Sequence, residues 1–253
     1  MPELPEAASL LVMLTFLLAG TVKGIIGLGL STVSLAILTV AIDLPTAMVL
    51  LLVPSFITNL WQACLGGQAM LLCRRLWPFL LPAALSVWIG ALALQRVDLA
   101  LLSTLLGILL ILYATISLAG LRLAFTQAQQ GWAGPLNGLI NGVLTGMTGS
   151  FVVPGVMYLN AIGLTRDQLI QAMGMLFTLS TLALALALGN HQLLNTGQLT
   201  ASAIALLPAI VGMLLGQRIR HSISEAIFRR VFFCALLLLG LYISISTLLE
   251  ISA

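Results

Sequence analysis

The chain has 253 residues, of which 60% are hydrophobic and 7% charged, with a formal net charge of +3. Soluble domains carry roughly 25% charged residues, so a water-solvated fold is excluded and the chain is read as a polytopic membrane protein. Its nine arginines sit in the gaps between apolar stretches and form no patch, which argues against nucleic acid as a partner.

The first nine residues, MPELPEAAS, carry Glu3 and Glu6 and no Lys or Arg. Without a basic n-region they do not read as a cleaved signal peptide, so they are expected to stay in the mature protein. Residues 8–41 then form one apolar stretch of 34 residues. As a single helix it would be about 51 Å long at 1.5 Å per residue. That is too long for one perpendicular crossing of a core about 30 Å thick. A break is written at Lys23 to Gly29, where Gly24, Gly27 and Gly29 weaken the helix and permit positive φ. Three apolar spans follow, over 45–66, 76–95 and 99–121.

After a linker over 122–131 the pattern recurs. A second glycine-broken segment covers 134–161, interrupted at Thr145, Gly146, Met147, Thr148, Gly149 and Ser150, with Pro154 and Gly155 beyond. Spans over 168–189, 197–217 and 231–249 complete the chain. An offset of 122 places Gly20, Gly24 and Gly27 on Gly142, Gly146 and Gly149, and an offset of 126 places Pro82 on Pro208 and Gly90 on Gly216. The chain therefore reads as a duplication, with repeat 1 over 1–121 and repeat 2 over 132–253.

Loop charge orients the repeats, because Lys and Arg accumulate on the cytoplasmic side. If each broken segment crossed the membrane once, the loop arginines would divide three against six. If each returns to its own side, Arg74, Arg75, Arg122, Arg166, Arg218, Arg220, Arg229 and Arg230 share one side and only Arg96 is opposite. The expected fold is thus an all-α polytopic membrane protein of two inverted repeats, each a Gly-broken re-entrant helical hairpin plus three transmembrane helices. The 122–131 linker is then cytoplasmic and both termini are periplasmic. Three crossings per half is an odd number, which is what makes the repeats inverted, and such folds place their substrate site where the broken helices meet.

Polar residues within the apolar segments are the candidate substrate contacts. Lys23 is the charged residue within a broken segment, and a charge at membrane depth reads as functional. Gly24 and Gly27 would open backbone N–H groups beside it. Thr145, Gly146, Thr148, Gly149 and Ser150 are the counterparts in the second break. Ser55, Thr58, Asn59 and Gln62 recur at i, i+3, i+4 and i+7 and so share one helical face, and Gln171 and Thr178, with Thr181, form a matching face in repeat 2. Each feature has a plainer reading: Lys23 can snorkel to an interface, the glycines can be packing surfaces, and the polar faces can be interhelical hydrogen bonding.

The remaining residues exclude other classes. Cys64, Cys73 and Cys234 have no metal or disulfide spacing, and no metal or cofactor is expected. Asp43, Asp98, Asp167, Glu225 and Glu250 lie in or beside expected loops, so no carboxylate is positioned to relay protons at depth. His191 and His221 fall in loops assigned to opposite sides and pair with no acid, which argues against an enzyme.

The run Ala19 to Gly29, the stretch Leu52 to Gln62, the segment Asn137 to Gly142 through Thr148-Gly149, the Arg166-Asp167 pair and the stretch Ser224-Glu225 to Phe228-Arg229-Arg230 together resemble the TauE/SafE sulfite exporter family. That resemblance implies a transporter of sulfite, organosulfonates or related small sulfur-containing anions in a bacterial inner membrane, most simply an exporter. Its partners would be a small anion and the lipid bilayer, with a homo-oligomer allowed. Uptake of another small anion or organic acid, or a non-transporting membrane scaffold, are the alternatives.

Overall fold

The computed structural model describes residues 6–121, 124–220, 222 and 224–252. Glu3, Arg122 and His221, used above for the N-terminus, the loop charges and the histidine argument, lie outside the described residues. Among the described residues every element is helical.

In chain order, α1 (Glu6–Ile26) and α2 (Leu30–Ala41) come from the first broken segment. The next expected span is two helices, α3 (Leu44–Leu50) and α4 (Leu52–Cys64), bent by 45°. Then come α5 (Ala69–Leu85), α6 (Val87–Ala91) and α7 (Ala93–Arg96), which run on as one span, and α8 (Leu99–Leu118). The second half holds α9 (Gln127–Thr148), α10 (Gly155–Ala161), α11 (Arg166–Asn190), α12 (Thr196–Ile219) and α13 (Glu225–Ser252). Among the described residues six helices are long and apolar enough to cross a membrane, and α3 with α4 can make a seventh. The chain is a multi-pass membrane protein.

Two departures from the sequence reading have local causes. The bend at Leu51 follows from Pro54, which has no N–H to return to the Leu50 carbonyl. Ser202 fills the gap: its hydroxyl donates to Leu50 O at 2.8 Å and accepts from Val53 N at 3.1 Å. Helix α9 starts inside the expected linker because Gln129 caps it, its Oε1 accepting from Thr126 N at 2.9 Å.

The chain folds as two compact units. The first holds α1, α2, α3, the start of α4, α8, α12 and α13; the second holds the rest of α4, α5 to α7, α9, α10 and α11. Each unit draws on both halves of the sequence. In the first, α1 lies against α12 with the backbones in contact. A Cβ at Gly20 or Gly24 would strike the Ala209 or Met213 carbonyl, and one at Gly212 or Gly216 would strike the Leu17 or Thr21 carbonyl. In the second, Gly138, Gly142 and Gly146 of α9 sit on the Phe79, Ala83 and Val87 carbonyls in the same way, and Gly90 of α6 sits on the Val143 carbonyl. Small residues four apart let helices approach closely where lipid supplies no hydrophobic drive.

Candidate functional site

The two breaks have the same local structure on their N-terminal side. In the first, Gly27 leaves the helix at φ 80° with its N–H donated to Lys23 O at 2.8 Å. In the second, Gly149 does so at φ 71° with its N–H donated to Thr145 O at 2.7 Å. Both glycines take the left-handed conformation that ends helices, and the residues pair at the offset of 122 read from the sequence. The first break spans Leu28 and Gly29; the φ of Gly29, 111°, and its position 2.8 Å from Val22 Cγ1, measured from an added Cβ, favour glycine there. The second is longer and returns through Ser150 to Pro154 before α10 begins.

Lys23 sits in the last turn of α1 and is 5% exposed, so its side chain is buried within the protein. Gly24 is still helical and is a contact point with α12; Gly27 is the turn itself. These three belong to the first unit, and the other candidates belong to the second.

In the second unit Ser55, Thr58, Asn59 and Gln62 are all buried, as their shared face of α4 required. Gln62 and Gln171 act as a clamp between α4 and α11. Gln62 Nε2 donates to Ile170 O at 2.8 Å and Gln171 Nε2 to Ala63 O at 2.9 Å, while Gln171 Oε1 accepts from Gln68 N at 3.2 Å. These two amides are therefore engaged in interhelical hydrogen bonding.

The threonines also have partners. Thr145 Oγ1 donates to Ser150 O at 3.0 Å and closes the break; Thr148 and Thr178 donate to Leu144 O and Gly174 O at 2.7 Å each. To donate to an anion, these hydroxyls must rotate away from a carbonyl; as they stand they offer lone pairs. Ser150 is buried, its N–H donated to Thr148 Oγ1 at 3.3 Å, and Gly146 is a contact point with α6. Phe151 meets Phe177 at 5.9 Å between ring centroids, which holds the second break beside the part of α11 that carries Thr178.

Two residues escaped the sequence reading. Asn141, 0% exposed, accepts the Gly155 N–H at 2.9 Å and so caps the start of α10, while its Nδ2 has no partner. Its signal was present, since Asn141, Thr145 and Thr148 recur at i, i+4 and i+7. Ser180, also 0% exposed with an unpartnered hydroxyl, lies off the Gln171 and Thr178 face, and no spacing marked it. Among the described residues no three His, Cys, Asp or Glu side chains gather as metal ligands.

A family model described as Sulfite exporter TauE/SafE matches residues 12–243. No curated protein and no solved structure matches the chain significantly.

Proposed function

Because the chain belongs to the TauE/SafE sulfite exporter family, we propose that it is a secondary transporter or facilitator that carries sulfite and small organosulfonates out across a bacterial inner membrane. The observation that carries this reading is the pair of like-capped helix breaks, one with Lys23 buried in the turn before it. The helix that resumes after the first break, α2, turns its N-terminal N–H groups and the positive end of its dipole to the break, which suits an oxyanion. Lys23 adds an amine whose protonated form an anion can pair with, at a depth where an unpaired charge is costly. Within the second unit, Asn59 and Ser55 on α4 and the hydroxyls of Thr145, Thr148 and Ser150 are the further buried polar groups proposed to contact substrate.

The re-entrant topology belongs to the same proposal. In the second unit Phe125 N donates to Ala161 O at 2.9 Å, and Arg75 reaches both Gln130 Oε1 and Ile162 O, at 3.3 and 2.7 Å. The two ends of the second broken segment are thus neighbours, which supports a hairpin that returns to its own side. With hairpins in both halves the repeats are inverted and both termini are periplasmic. A monoanion leaving a cell gains about 2.3 kcal/mol per 100 mV of inside-negative potential, so export proceeds without a coupling ion.

The test is counterflow of labelled sulfite and small sulfonates in proteoliposomes. Lys23→Ala is expected to cut flux at least about tenfold, the effect of losing roughly 1.4 kcal/mol of binding, and Asn59→Ala to raise the concentration needed for half-maximal flux. Wild-type flux in both variants would remove these residues from the site.

A further inference from the structure

In the first unit, the C-terminal end of α2, the start of α8 and the last turns of α13 surround an open cavity of about 300 Å³. Its polar lining is Thr39, Asp43, Ser103, Tyr242, Ser246 and Thr247, and among the described residues none that lines it is Lys, Arg, His, Asn or Gln. Every side-chain polar atom there is an oxygen. Several of these oxygens have no hydrogen left to give. Ser246 Oγ and Thr247 Oγ1 both donate to Ile243 O, at 3.2 and 2.5 Å, and Asp43 Oδ1 accepts from Thr46 N at 2.7 Å. Thr39 Oγ1 is buried with no partner.

The surrounding helix ends add to the negative character. Helix α2 finishes beside the cavity and turns the negative end of its dipole toward it. The positive ends of α3 and α8 are already answered by carboxylates, Asp43 and Asp98, the latter accepting from Ala100 N at 2.9 Å. Asp43, Ser246 and Thr247 can only accept, and the hydroxyls of Thr39, Ser103 and Tyr242 can turn to accept as well, so the one carboxylate decides the sign and favours a ligand that brings hydrogens and positive charge.

We propose that this cavity binds a primary ammonium group. Its volume stands at the lower end for ligand pockets, enough for a short amine and far more than a dehydrated metal ion fills. The exposed Tyr242 ring, 58% accessible at the rim, adds a face on which a cation can rest. The ammonium can come from a phosphatidylethanolamine headgroup or from a free alkylamine. The proposal does not rest on the transport reading, since its ligand has the opposite charge.

The purified full-length protein is unfolded thermally in detergent against ethanolamine hydrochloride, with sodium chloride at equal ionic strength as the comparison. A saturable rise in Tm with ethanolamine alone is expected. In Asp43→Asn, which keeps a side-chain acceptor for Thr46 N, half-saturation is expected to move up at least about tenfold. Ser103→Ile, which fills the cavity from another helix, is expected to abolish the effect. In a second arm, the protein is mixed with phosphatidylethanolamine or phosphatidylglycerol and retained lipid is measured by native mass spectrometry. Selective retention of phosphatidylethanolamine, lost in both variants, identifies the headgroup; saturation by ethanolamine without that retention identifies a free amine. An equal response to sodium chloride, or wild-type binding in both variants, overturns the proposal.

Discussion

Asn141 shows what a single buried polar side chain does here. Its Oδ1 holds the Gly155 N–H at 2.9 Å in the buried interior, where a donor left alone costs about 1–3 kcal/mol. Asn141→Ala is therefore expected to lower stability by about that much in thermal unfolding, because the start of α10 loses its cap. Asn137→Ala is the control: Asn137 Nδ2 bonds to Ala133 O of its own helix, and the change is expected to stay within about 0.5 kcal/mol. At this scale charge was the legible signal. Lys23 stood out in the sequence because nothing around it is charged, whereas Asn141 sits in a run of glycines whose spacing suggested packing, and only the return of the chain shows what it caps.

Among elements, the glycine faces and the bent span respond to different changes. Gly24 and Gly146 have a carbonyl of the neighbouring helix where a Cβ would go, so Gly24→Ala and Gly146→Ala are expected to force the helices apart and cost about 1–3 kcal/mol. Gly131, helical in α9 with nothing within 4 Å, is expected to gain about 0.5–1 kcal/mol as alanine. Thermal unfolding of the three variants reads both signs. The α3–α4 bend gives a coupled prediction. Ser202→Ala leaves the Leu50 carbonyl without its partner, but in a Pro54→Ala background an N–H becomes available to it, so the cost of Ser202→Ala is expected to fall by about 1 kcal/mol. Additive effects in that double-mutant cycle would show that the proline is not what frees the carbonyl.

For the whole molecule, the proposed topology places the loops before α5 and α11 on the cytoplasmic side. Gln168 Nε2 donates to Gln68 Oε1 at 2.7 Å, which brings the two loops together. With Cys64, Cys73 and Cys234, all exposed, first replaced by serine, cysteines at 68 and 168 are expected to crosslink. Each alone is expected to react with an impermeant maleimide only in inside-out vesicles. Labelling of one from each side would reject the hairpin topology.

By itself the sequence determined the membrane setting, the helical content and the positions of both breaks, because hydropathy and glycine act locally along the chain. Lys23 with Gly27, and Thr145 with Gly149, close the same turn that their spacing implied. Only the tertiary structure decided which helices share a core. The partners of α1 and α9 lie far along the chain, and a glycine face records that a close neighbour exists without recording which one. The same limit explains the polar faces. Burial of Gln62 and Gln171 follows from helical period, but their bonds to Ile170 and Ala63 depend on where α4 meets α11. The oxygen-lined cavity is the extreme case: its oxygens come from α2, α8, α13 and the Asp43 cap of α3, each unremarkable in its own stretch of sequence, and they form one surface only once these helices are brought together.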